Sequence, residues 1–200
     1  MYRLLICLVF VLPLAAHADN NPAALDSERR WFIGIGGATS QSRISAGSDA
    51  GRAGDTLTDT LVARAGRYSG RMRYGIDVMR VNYDEARVWM TTAWLDYLIP
   101  LGDLFSGYAG IAAGHARLNW RENDPFDAGR NFGLRGQTDD SWTAGLRVGG
   151  LIEVTELVQV ELGYRFLFTD LETRFRDGDV DERVTFRNQR AVQAGVNFRF

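Results

Sequence analysis

Histidine is the scarcest chemically versatile residue in this chain. Beyond position 17 the sequence holds one, His115, so any acid–base catalysis on histidine would rest on a single imidazole. A lipid hydrolase or acyltransferase would add a serine and an acidic partner. The period-two pattern around His115 instead puts it on the polar face of a strand, away from apolar substrates, and predicts a hydrogen-bonded histidine without a catalytic role. The stretch DGDVDE (177–182) spaces Asp177, Asp179 and Asp181 as a calcium loop spaces its first three ligands. Such a loop then needs Gly at its sixth position and Glu at its twelfth; here those positions hold Glu182 and Asn188. A solvated acidic loop is expected, with the three aspartates as the sole candidates for weak divalent-cation binding. Around them, Arg174, Arg176, Arg183 and Arg187 form a guanidinium cluster suited to phosphate groups. Gly34-Ile35-Gly36-Gly37 lacks the third glycine and the following helix of a dinucleotide loop. No cofactor is expected.

Composition narrows the compartment. Met1-Tyr2-Arg3, the apolar run Leu4 to Leu14 and the small residues of Ala16-His17-Ala18 have the layout of a cleaved secretory signal. The expected organisation is a signal peptide at 1–18, a periplasmic lead-in at 19–30 and one domain at 31–200. Cys7, the one cysteine, falls inside the signal, which removes disulfides, thiolate metal ligands and cysteine nucleophiles from the exported chain. Export leaves 22 arginines, no lysine and 25 acidic residues, a net charge near −3. That balance offers no footprint for nucleic acid. Arginine as the sole strong cation suits crowded or buried ion pairs.

The elements that must position these residues alternate with a period of two. Eight such segments begin near Trp31, Thr60, Met72, Val88, Gly107, Ser141, Val158 and Ala191. The connections expected after the first, third, fifth and seventh are 40–59, 82–87, 121–139 and 169–187; those after the second, fourth and sixth are 69–71, 100–106 and 154–157. Long and short connections alternate, as between the two sides of an outer-membrane barrel. The predicted fold is all-β: an eight-stranded antiparallel up-and-down transmembrane β-barrel.

A soluble carrier and a membrane barrel are built inside out from one another. The smaller face decides between them. It carries Arg64, Asp77, Asp96, His115, Arg117, Arg147, Glu161 and Arg165 among glycines. On a wet exterior those glycines would only weaken the strands. In a narrow lumen they make room for long arginines, whose charges pair with carboxylates. These eight are therefore the predicted lumen network. The fifth strand is oriented with Tyr108, Leu118 and Trp120 towards lipid and His115, Arg117 and Asn119 inside.

The stretches LDYLIPLGDLFSGYAGIAAGHARLNW (95–120), VELGYRFLFTDLE (160–172) and AGVNFRF (194–200) resemble the OmpA-like transmembrane barrels, the porin-family proteins of Gram-negative outer membranes. The resemblance covers essentially the whole chain after the signal and implies a bacterial outer-membrane location. It also implies that Val192, Val196, Phe198 and Phe200 form the terminal signal read by the barrel-assembly machinery. The chain ends with its barrel, so the peptidoglycan-binding domain of full-length OmpA proteins is not expected. The expected function is structural or surface-interacting, through external loops over a filled polar lumen. The partners would be outer-membrane lipid and lipopolysaccharide, and the protein a monomer without enzymatic activity. A narrow pore for small solutes and a lipid-modifying enzyme stay as alternatives.

Overall fold

A chain whose side chains alternate in polarity satisfies both faces only when extended. The computed structural model describes residues 31–46, 54–83, 86–121, 135–177 and 180–200; the expected signal and lead-in, 1–30, lie outside them. The chain forms β1 (Trp31–Ala46), β2 (Gly54–Ser69), β3 (Met72–Asn82), β4 (Ala86–Pro100), β5 (Phe105–Trp120), β6 (Thr138–Glu153), β7 (Val158–Asp177) and β8 (Val180–Arg199). Each pairs antiparallel with the next, and β8 returns to β1 to close an eight-stranded barrel. The seam continues to the last residue: Trp31 N donates to Phe200 O at 3.1 Å and Phe200 N to Trp31 O at 3.0 Å. Closure leaves no unpaired edge, which is the condition for a sheet to sit in hydrocarbon.

One end is tied by tight turns. Between β2 and β3 the chain reverses over two residues, with Ser69 opposite Met72 and Gly70 at φ 56°, a left-handed conformation that glycine adopts without a Cβ penalty. Between β6 and β7 the Thr155 hydroxyl accepts from Leu157 N at 3.2 Å and Val158 N at 3.0 Å, fixing that turn.

At the other end the strands run further than the alternation suggests. The connections expected at 40–59 and 169–187 are largely strand: β1 reaches Ala46, β2 starts at Gly54, β7 reaches Asp177 and β8 starts at Val180. Polar residues on both faces erase the two-residue signal there while backbone pairing continues. The acidic stretch is accordingly a hairpin tip. Asp177 pairs with Val180 and Asp181 with Arg176 across two strands, whereas Asp179 lies outside the described residues. Among the described residues no group of three His, Cys, Asp or Glu is placed to hold a metal. Asn188, at φ 56°, marks an irregularity where the register of β8 slips against both β7 and β1. Asparagine tolerates the left-handed region that such a bulge requires.

Trp31, Ile33, Leu61, Ile76, Leu95, Ile111, Leu146, Leu162, Val192 and Phe198 are all exposed on the outer wall. Together they form a continuous apolar belt. In water this area would be a severe liability; against acyl chains it is the required surface. Leu146→Arg, in the middle of β6, is expected to lower unfolding stability in lipid vesicles by about 2–4 kcal/mol, and Thr138→Arg at the rim of the same strand by about 0–1 kcal/mol. Denaturant titration in vesicles reads both; equal costs would refute a lipid-facing belt.

Candidate functional site

The inner wall carries its charges at one level. On β7, Gln159, Glu161, Gly163 and Arg165 point inward; β2 contributes Arg64, β3 Arg73 and Asp77, β4 Asp96, and β6 Arg147, and all these charged groups are buried. Glu161 is their hub. Its Oε1 accepts from Tyr108 Oη at 2.9 Å, Arg147 Nη2 at 3.1 Å and Gln193 Nε2 at 3.2 Å, with Arg64 Nη1 at 2.5 Å. Its Oε2 accepts from Arg73 Nη1 at 2.8 Å and Asn197 Nδ2 at 3.2 Å.

The other carboxylates knit the same arginines together. Asp96 Oδ2 accepts from Arg73 Nη2 at 2.8 Å and Nε at 3.1 Å, while its Oδ1 lies 3.1 Å from Arg147 Nε. Asp77 accepts from Trp94 Nε1 at 2.8 Å and from Arg165 Nη2. It also lies 3.5 Å from Arg147 Nη1. Among the described residues of this layer, Arg64, Arg73, Arg147 and Arg165 face Asp77, Asp96 and Glu161, one cation in excess. Ring faces offset part of that excess: Arg147 lies 4.3 Å from the Trp94 centroid and Arg73 4.7 Å from that of Tyr108. A cation over a desolvated ring gains up to about 2 kcal/mol.

Glycine makes this density possible. A Cβ at Gly163 or Gly149 would collide with the Tyr108 phenol, so both must lack one for the hydroxyl to reach Glu161. On the external side of the charges the described lumen residues are uncharged, with apolar side chains among buried Ser40, Ser42, Thr60, Thr169 and Gln189. Val62, Met79, Val88, Met90, Leu118, Leu167 and Leu171 are buried there. The void between Ser42, Tyr83, Met90 and Thr169 is about 10 Å³, room for about one water. The Tyr83 hydroxyl is 2.5 Å from Ser42 Oγ, and burial pushes its phenol up to about 12.

A closed wall of eight strands, apolar outside and charged within, has close counterparts among solved structures. The Neisserial surface protein A superimposes with a TM-score of 0.60 at 18% identity, over 85% of this chain and 97% of that one. The outer-membrane protein AlkL gives 0.55 at 14% identity over 92% and 97%. Outer-membrane protein H of P. aeruginosa gives 0.53 at 21% identity over 86% and 99%. The fold is that of the eight-stranded outer-membrane barrels. No family model matches the sequence, nor does any curated relative.

In this outer-membrane-type barrel, six of the eight residues expected in the lumen meet in one layer: Arg64, Asp77, Asp96, Arg147, Glu161 and Arg165. His115 and Arg117 do not. Their side chains are 50% and 61% exposed on the outer wall, beside Asp140. The expected orientation of β5 is reversed, since Tyr108, Leu118 and Trp120 are buried inside. The period of two tells which residues share a face without telling which face is inner. In the middle of β5 Ile111 alone among alanines and glycines is sided, and it faces outward; the larger Tyr108, Leu118 and Trp120 on the opposite parity bias the sequence pattern the other way. Partners decide it: Tyr108 bonds Glu161, and Trp120 Nε1 donates to Thr173 Oγ1 at 3.0 Å.

The interior also departs from a wholly polar lumen, because β4 places Val88, Met90, Trp94 and Leu98 inward with Asp96. Arg73 was absent from the expected network although it shares strand parity with Asp77; that parity was the available signal. Val192, Phe198 and Phe200 are exposed on the outer face of β8 and Val196 is half-buried there. The side chains of Arg174, Arg176, Arg183 and Arg187 lie outside the described residues.

Removing one member of a buried ion network leaves its partners charged and desolvated. Glu161→Gln is therefore expected to cost about 3–5 kcal/mol. Gly163→Ala, which displaces the Tyr108 hydroxyl, should cost about 1–3 kcal/mol by overpacking. Both are read as shifts of the unfolding midpoint in vesicles; a neutral Glu161→Gln would refute the hub.

Proposed function

We propose that this protein spans a bacterial outer membrane as a monomer and acts through envelope integrity and surface contacts, with a lumen closed to solutes. One observation carries the closed lumen: the charges around Glu161 pair across the bore, and the Arg64, Arg73, Arg147 and Arg165 side chains that fill it are buried. Eight-stranded barrels are only just wide enough for their side chains to fill. Solute passage would require breaking ion pairs that hold one another across the bore.

The apolar belt and the seam at Trp31–Phe200 support the membrane location, as does likeness to barrels named as surface and outer-membrane proteins. Lipid and lipopolysaccharide are the partners of such a wall. By resemblance, the outward row Val192, Val196, Phe198 and Phe200 is the address for the assembly machinery. Function at the cell exterior then belongs to the upper ends of β1, β2, β7 and β8, held out from a rigid scaffold, and to the segment expected as the 121–139 connection. His115 has no catalytic part in this reading. Its Nε2 lies 4.0 Å from Asp140 Oδ1 and its ring stands edge-on to Trp142, and among the described residues no hydroxyl hydrogen-bonds it.

In planar bilayers the purified protein is expected to give no persistent channel openings; stable, ion-selective openings would replace this reading with a narrow pore. In cells the protein should fractionate with outer membranes and migrate differently on gels with and without heating. Cells carrying His115→Ala should keep unchanged lipid A and phospholipid profiles, and an altered profile would restore the enzymatic reading.

A further inference from the structure

The charges inside the barrel do not cancel. Towards the tight turns, Arg199 pairs with Glu153, one charge against one. In the layer above, Arg64, Arg73, Arg147 and Arg165 share the carboxylates of Asp77, Asp96 and Glu161. The surplus settles on one arginine. Arg64 lies against Glu161 and Asp77, Arg73 against Asp96 and Glu161, and Arg147 against all three acids. Arg165 has Asp77 alone, through Nη2. Its Nη1 meets the Met79 thioether at 2.7 Å, a weak acceptor, and its Nε is buried without a hydrogen-bond partner. Ring faces cover Arg73 and Arg147, whereas among the described residues none lies over Arg165.

A second orphan donor stands beside it. Facing inward, Ser40, Ala191 and Arg165 form one row across β1, β8 and β7, and Ser42, Gln189 and Leu167 form the next. Gln189 is buried, and its Nε2 has no hydrogen-bond partner. Two unpartnered N–H donors, one of them cationic, therefore flank the small side chain of Ala191. Neither row carries a carboxylate on these strands. Space is available at the same place. The void of about 10 Å³ is lined by Gln189, Ser42, Thr169 and Met90, and Met90 is the register neighbour of Met79, the residue that touches Arg165.

We propose that Arg165 and Gln189 bind a halide ion inside the barrel, beside Ala191. A halide is scarcely larger than a water and matches the space; phosphate, sulfate and carboxylates do not. It accepts from Arg165 Nε and Gln189 Nε2 and cancels the surplus charge. Water supplies the acceptor without the charge. A buried guanidinium lacking its counter-charge is costly, and hydrogen bonds to an ionised partner are the strong ones. The ion is then a structural part of the lumen, tying β7 to β8 above the hub. The site goes beyond the proposed surface role. Its failure would leave the closed lumen, which bilayer recordings test, untouched.

Urea titration of the full chain in lipid vesicles tests it, with chloride exchanged at constant ionic strength for gluconate, an anion too large for the void. Each tenfold rise in chloride above its dissociation constant should raise the folding equilibrium constant about tenfold, whereas gluconate should leave it unchanged. R165M and Q189L should lose this dependence, and R190Q, on the outer face of β8, should keep it. Wild-type crystals grown with bromide need no variant. They should show an anomalous-scattering peak between Arg165 and Gln189. Equal stability in chloride and gluconate overturns the site, as does a dependence that survives in both lumen variants. A water alone at that position, or bromide confined to the outer surface, overturns it as well.

Discussion

The ladder between β1 and β8 is the constraint on which everything else here depends. It runs from Trp31 and Phe200 up to Ala46 and Val184, joining the two ends of the sheet. Without it, two strands would present rows of unpaired amides and carbonyls, each costing several kcal/mol away from water. With it, the outer wall is free to be apolar, and the belt of isoleucine, leucine and aromatics becomes an asset. The same closure seals off an interior too narrow for bulk water. The charged groups inside can then be solvated only by one another.

That second consequence explains the arrangement around Glu161. A buried carboxylate is tolerable when guanidiniums and neutral donors satisfy its lone pairs. Glu161 takes donors from β3, β5, β6 and β8, which ties four walls of the cylinder through one side chain. Arginine suits this better than lysine, since one planar group can serve two acids: Arg73 bridges Asp96 and Glu161, and Arg147 touches all three carboxylates. The glycines opposite Tyr108 are the complement of this crowding. They concede strand propensity to a phenol that completes the hub.

The two ends of the barrel differ for a related reason. At the turn-linked end the strands stop where the apolar belt stops, and short hairpins suffice. At the opposite end the sheet outlasts the belt on the β7–β8–β1–β2 side and barely exceeds it at β3 and β4. The upper rim is therefore lopsided. Surface chemistry divides accordingly, with a ribbon reaching past the belt on one side and Arg80, Arg87 and Arg117 directly above the belt on the other.

The sequence by itself determined the number of strands, their antiparallel order, and the faces of β1 to β4 and β6 to β8. Most of those strands carry a sided polar residue such as Arg64, Asp77, Asp96, Arg147, Glu161 or Asn197, β1 a row of Trp31, Ile33 and Ile35, and a period of two then orients the rest. It also placed six of the lumen charges, because charge on a glycine-rich face has one stable home in a barrel of this size. Only the tertiary structure decided the rest. β5 has no sided charge in its middle, only Ile111 among alanines and glycines, so its orientation was settled by the reach of Tyr108 to Glu161 and of Trp120 to Thr173, contacts across the bore that no local pattern encodes. The same reversal moved His115 and Arg117 to the outer wall. Strand ends beyond the membrane were hidden because water rewards polar groups on both faces. Gln189 meets Ser42, Met90 and Thr169 around one void, a neighbourhood that exists only once the cylinder has closed.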